Sequence, residues 1–122
     1  MPRIEKVNNQ LKREISVIIL KELTDPRLEF VTITQVETSR DLRSAKVFFS
    51  ILGNAQKREE AQEGLDGARG IIRKLAGQRL IMRCVPELFF TYDRTLELSA
   101  RIEETLKEIK DAQADHSNSQ RE

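Results

Sequence analysis

The chain has 122 residues, 39% hydrophobic and 34% charged, with 21 basic residues against 20 acidic ones for a net charge of +1. That length and balance describe one soluble globular domain with a single modest core, and they exclude a disordered polyelectrolyte. No apolar run approaches the ~20 residues of a membrane helix, and the amphipathic start, MPRIEKVNNQLKREI, lacks the apolar core and small-residue cleavage site of a secretory signal.

Residues 3–22 read as a helix, because Ile4, Val7, Leu11, Ile15 and Ile18 recur at steps of three or four and form one apolar stripe. Arg3, Lys6, Arg13 and Lys21 fall on the opposite side. They are either a solvated face or an extension of a basic surface. Pro26 disfavours helical geometry at Asp25, so the helix stops before the Asp25-Pro26-Arg27 turn.

Residues 30–39, FVTITQVETS, are rich in β-branched side chains and predict a strand. Val31 and Ile33 share a face but Val36 falls on the other, so either both faces are partly buried or a bulge shifts the phase. A polar link, Arg40 to Arg43, leads to a second strand in which Ala45, Val47, Phe49 and Ile51 alternate with Lys46, Phe48 and Ser50. The short link implies an antiparallel hairpin. Gly53-Asn54 ends it.

Helical periodicity then returns. Ala61, Leu65, Ala68, Ile72, Leu75 and Ala76 keep one stripe past Gly64, Gly67 and Gly70, which lie off it. Two helices meeting at a kink near Ala68 are expected, since glycines tolerate such a bend. Pro86 to Tyr92 predicts a third strand with Leu88, Phe90 and Tyr92 on one face, and Asp93 suits the N-cap of a last helix carrying Leu98, Ile102, Leu106 and Ile109. The lone cysteine, Cys84, fits a reducing compartment and reads as a small buried side chain rather than a reactive thiol. Residues 111–122, with the only histidine, His116, form a polar segment expected to be disordered, which disqualifies His116 as a metal ligand or catalytic base.

Charge is unevenly placed. Between Gly67 and Arg83 there are five basic residues, Arg69, Arg73, Lys74, Arg79 and Arg83, and no acidic one. Residues 101–122 carry four positive and six negative charges. A basic face with an acidic rear is the pattern of a nucleic-acid contact. Two GxxG strings overlap there, Gly64 to Gly67 and Gly67 to Gly70. Such a loop clamps RNA backbone in KH domains, and Arg69 makes the second string the better candidate. The alternative is a surface helix whose glycines pack closely on a neighbour. Asp25, Asp41 and Asp93 sit at element boundaries and read as turn and cap residues. No Ser/His/Asp set, metal cluster or P-loop is visible, so an enzyme is not expected and no cofactor is implied.

The chain resembles the ribosome-binding factor A family over residues 3 to about 109. The matching segments are Arg13-Glu14-Ile15, Asp25-Pro26-Arg27, Val31-Thr32-Ile33-Thr34, Asp41-Leu42 followed by Ala45-Lys46-Val47, Ala68-Arg69-Gly70-Ile71-Ile72-Arg73, Pro86-Glu87-Leu88 and Asp93. The resemblance implies an α+β, type II KH-like fold over residues 1–110, in the order α-β-β-α-(Ala kink)-α-β-α, with a three-stranded sheet packed by helices on one face. An Ala-x-Gly kink, here Ala68-Arg69-Gly70, replaces the GxxG loop, with Gly67 an addition to the pattern. It implies a cytoplasmic, non-catalytic assembly factor, often linked to cold adaptation. Its partners would be the free small ribosomal subunit with its 16S rRNA, close to the 5′-terminal helix, and other assembly factors including GTPases. No membrane partner is implied, and a monomer is expected. The candidate RNA contacts are Arg3, Lys6, Arg13, Ala68, Arg69, Gly70, Arg73, Lys74, Arg79 and Arg83. The rival reading is a KH-like protein–protein adapter with incidental RNA affinity.

Overall fold

The apolar stripe of the first segment folds as α1, Arg3–Lys21, and buries Leu11, Ile15, Ile18 and Ile19. In the computed structural model, which describes residues 3–95, the helix ends before Asp25, whose backbone is extended as the following proline requires. The Asp25 carboxylate caps a 3-10 turn, Pro26–Leu28, by accepting the Arg27 backbone N–H. The turn delivers Leu28 into the core. The helix expected around Leu98 to Ile109, the polar segment 111–122, His116 and the domain limit at 110 lie outside the described residues.

Strand β1, Val31–Thr38, pairs antiparallel with β2, Ser44–Ile51. A bulge resolves the broken alternation of β1. Ile33 faces Phe49 and Gln35 faces Phe48, so Thr34 is an extra residue between them. The one-residue slip returns Val36 to the face of Ile33, and both are buried. The turn between the strands holds Leu42 in the left-handed region at φ 61°. Asp41 and Ser39 side chains tie it down, accepting the backbone N–H groups of Arg43 and Ser44.

Helix α2, Ala55–Leu80, is capped by the Asn54 side chain on the Lys57 N–H. The two helices expected to meet at Ala68 are one element here. Every residue from Ala55 to Leu80 is helical, and the stripe Ala61, Leu65, Ile72, Ala76 is buried along its length. Gly67 and Gly70 face open space, with no neighbouring atom within 4 Å of a Cβ placed there. Nothing wedges the helix apart at that point, so the Ala68 junction lies within a helix rather than between two. The loss of apolar spacing after Gly77 comes one turn before the end, where Ile81 closes the helix in the left-handed region at φ 53°.

Strand β3, Glu87–Tyr92, runs parallel to β2, and α2 is the crossover that parallel pairing demands. The sheet order is β1-β2-β3, so β1 and β3 are both edges. Ile33, Val36, Ala45, Val47, Phe49, Leu88 and Phe90 turn one sheet face toward α1 and α2 and close the core with them. The α+β class and the sheet covered by helices on one face are therefore as expected.

Candidate nucleic-acid interface

Helix α2 lies along the free edge of β3 and touches it with one polar side chain per turn or two. Arg58 stacks over the Tyr92 ring at 4.6 Å. Gln62 Nε2 donates to the Phe90 carbonyl at 2.8 Å. Arg69 places its guanidinium 5.5 Å from the Phe89 ring centroid. Arg73 donates through Nε and Nη2 to the Val85 carbonyl, at 3.2 and 2.8 Å. An edge strand leaves carbonyls unpaired, and Gln62 takes up the Phe90 carbonyl of β3 while Arg73 takes up the Val85 carbonyl just before it. The helix and strand run in opposite senses along this seam, so one helical face serves all four contacts.

The seam ends in an open groove of about 680 Å³ lined by Arg3, Arg43, Arg73, Arg83, Asp41 and Glu87, together with Cys84 and apolar neighbours. Four elements contribute: the first turn of α1, the β1–β2 turn, α2, and the loop before β3. Among the described residues, Arg3, Arg43 and Arg83 make no ion pair, which leaves their guanidinium groups available to an anion. Asp41 stays ionised in this groove, because the Ser39 hydroxyl, the Arg43 backbone N–H and the Arg43 charge hold its carboxyl below the usual range. Four guanidinium groups against two carboxylates leave the groove net positive.

The sequence-predicted residues divide into four groups. Arg3, Arg73 and Arg83 converge on the groove. Arg69, Ala68 and Gly70 follow it along α2, with Ala68 and Arg69 half-buried and Gly70 exposed. Lys6, Arg13 and Lys74 are exposed on helix surfaces and do not line the groove. Arg79 is occupied elsewhere: it bridges α2 to α1 through Glu22 at 2.6 Å and Glu14 at 3.7 Å. Sequence reasoning missed Arg43, whose only signal was its place in a short hairpin turn. It also missed Phe89, which keeps 41% of its surface exposed on β3.

Two further expectations change. Cys84 is exposed on the groove rather than buried, while its neighbour Val85, half-buried on the same groove, packs against Gly77 of α2. Gly64 is buried against Leu28, 3.0 Å from Leu28 Cδ2 to a Cβ placed there, so it lies on the packed side of α2 and not off it. Gly77 likewise packs on Val85 with no room for a Cβ. The boundary aspartates behave as predicted: Asp25, Asp41 and Asp93 each accept the backbone N–H two residues on. No group of three or more His, Cys, Asp or Glu among the described residues could hold a metal ion. No helix among them is long and apolar enough to cross a membrane.

The family model described as ribosome-binding factor A matches residues 3–106. The chain is 50% identical over 109 residues to the ribosome-binding factor A of Halothermothrix orenii, covering 89% of each chain. It is 43% identical over 114 residues to that of Caldanaerobacter subterraneus, covering 93% of each. The crystal structure of ribosome-binding factor A from Thermus thermophilus is similar at a TM-score of 0.68 and 28% identity, over 75% of this chain and 97% of that one. A homology model of Thermus thermophilus ribosome-binding factor A, fitted into the cryo-EM map of a complex of that factor with 30S, is similar at a TM-score of 0.60 and 29% identity, over 70% of this chain and 90% of that one. With most of its length matched by the family model and by relatives of this similarity, the chain belongs to the ribosome-binding factor A family.

Proposed function

We propose that this protein binds the free small (30S) ribosomal subunit through its rRNA and assists the late maturation of that particle, including efficient processing of 16S rRNA near its 5′-terminal helix. The role is that of a non-catalytic, monomeric assembly factor acting in the bacterial cytoplasm, alongside other assembly factors that include GTPases. The observation that carries the reading is the convergence of Arg3, Arg43, Arg73 and Arg83 on one groove of a family member. Guanidinium groups in a groove recognise phosphates in pairs of hydrogen bonds and release counterions on binding. The contacts to phosphate give affinity and register, and little sequence readout.

The test is co-sedimentation with purified small subunits at two salt concentrations. Arg43→Glu with Arg83→Glu reverses two exposed guanidinium groups that make no ion pair among the described residues. The expected result is weaker sedimentation and a shallower salt dependence, each lost phosphate contact lowering the slope by about 0.7–0.9. Unchanged sedimentation of the folded double variant refutes the groove as the contact.

A second reading, the protein–protein adapter, is favoured by an apolar hollow of about 420 Å³ between the end of α1 and β1, lined by Ile19, Leu20, Leu23 and Val31 among others. Leu20 beside it is 76% exposed. An adapter binds small-subunit protein but shows no salt-sensitive affinity for free rRNA, so a titration with free RNA separates the two readings.

A further inference from the structure

We propose that Phe89 is a stacking platform for one unpaired nucleobase of the bound RNA, set beside the arginine groove that takes the neighbouring phosphates. The inference rests on the RNA-binding reading above and adds the class of nucleotide and the residue that receives it.

Phe89 faces away from the core. Its neighbours Leu88 and Phe90 are buried and hold β3 in place, while Phe89 keeps 41% of its surface exposed. Arg69 lies over one face of the ring, its guanidinium 5.5 Å from the centroid, so a base would stack on the opposite face. Across the sheet, Phe89 is paired with the exposed Lys46 of β2. An apolar ring between two cations suits a ligand that is flat and aromatic in one part and anionic in another, which describes a nucleotide. A buried-core role is ruled out by the side it occupies, and an acidic peptide would leave the ring face unused.

Position supports the same ligand. Two residues earlier on the same face, Glu87 lines the groove, about 7 Å along the strand. One turn after Arg69, Arg73 lines it from the helix side. A strand of RNA whose phosphates sit against Arg43, Arg73 and Arg83 therefore brings its next base over Phe89. Glu87 and Glu37, on the same sheet face, keep the phosphates to the α2 side and the base to the ring. Phosphates are bound by charge in the groove, and a base must be unstacked to reach the ring, so the site selects single-stranded over double-stranded RNA.

The chain has no tryptophan, so Phe89→Trp installs a single tryptophan at the site, excited apart from Tyr92 at long wavelength. Titration with single-stranded oligouridylate is expected to quench it, while inorganic polyphosphate of equal charge binds without quenching. In parallel, the anisotropy of a labelled oligouridylate is followed with the wild type and with Phe89→Leu, whose fold is checked by circular dichroism. The expected result is about a tenfold loss of affinity in Phe89→Leu with an unchanged salt slope. Equal affinity of Phe89→Leu and wild type overturns the stacking platform and leaves RNA binding standing, and equal quenching by polyphosphate does the same. Absence of any wild-type RNA affinity at low salt overturns both.

Discussion

Arg73 gives two of its N–H groups to the carbonyl of Val85, and so a residue of the candidate interface also closes the seam between α2 and the loop before β3. The bond geometry needs a forked guanidinium. Arg73→Ala is expected to lower unfolding stability by about 0.5–1.5 kcal/mol, since the bond is open to solvent and water can take the donor's place. Arg73→Lys recovers little of it, because a single ammonium cannot reproduce the fork. Urea unfolding of both variants measures this. A charge reversal at Arg73 consequently mixes folding with binding, which is why Arg43 and Arg83 are the cleaner probes.

Arg79 shows the opposite balance. Its partners Glu22 and Glu14 are on α1, and all three side chains are partly open to water. Exposed pairs of this kind contribute about 0–1 kcal/mol and are screened by salt. Arg79→Ala is expected to lose less than about 1 kcal/mol at low salt and almost nothing at high salt. RNA affinity stays at the wild-type value, since Arg79 is outside the groove. Unfolding and RNA titration on the same preparation test both statements, and a large loss of RNA affinity would return Arg79 to the interface.

The glycines of α2 separate by surroundings. Gly67→Ala and Gly70→Ala place a methyl group in open space and raise helix propensity, so each is expected to stabilise the fold by about 0.5–1 kcal/mol. Gly77→Ala drives a methyl group into Val85 on the core side of the seam, and overpacking of that kind costs about 1–3 kcal/mol. Thermal melts of the three variants read the contrast directly. The sign at Gly67 and Gly70 would reverse if close helix packing were the reason for those glycines.

Acid should loosen the sheet through Asp93. The Thr34 hydroxyl donates to Asp93 Oδ2 at 2.6 Å, and the Thr95 N–H donates to Oδ1 at 2.9 Å. The Thr34 hydrogen bond is the main cause, with Thr95 second, that holds the Asp93 carboxyl below its ordinary value of 3.8. A folded-state value below the unfolded one means the stabilisation is complete above the unfolded value and is lost as pH falls through the folded one. Asp25, held down by Arg27, and Asp41, held down by Ser39, act in the same direction. Stability is therefore expected to be flat above about pH 5 and to fall below about pH 4. Asp93→Asn is expected to make that fall shallower while lowering stability near pH 7 by about 1 kcal/mol. Denaturant midpoints across the acid range check it.

The bulge in β1 illustrates how far periodicity reads. Val36 stood out of phase in the strand pattern, which signalled either a bulge or a second buried face. Choosing between them took the pairing of Ile33 with Phe49 and Gln35 with Phe48. The same holds elsewhere. Among the described residues, periods of two and of three to four residues mark the two α-helices and the three strands, because burial on one face imposes them locally. The family follows from short motifs in fixed order. The boundary aspartates were legible because an Asx turn is made by residues two apart. The groove was not. Arg3, Arg43, Arg73 and Arg83 belong to four different elements, and their meeting depends on how the start of α1, the hairpin turn, the later turns of α2 and the last loop pack together. Nor could spacing separate Arg79, taken up by two glutamates of α1, from Arg83, left open on the groove. Gly64 and Gly67 look alike in sequence, yet one is pressed against Leu28 and the other faces solvent. Local pattern records which side of an element is apolar. The partner that each polar or small residue meets is decided by contacts between segments far apart in the chain.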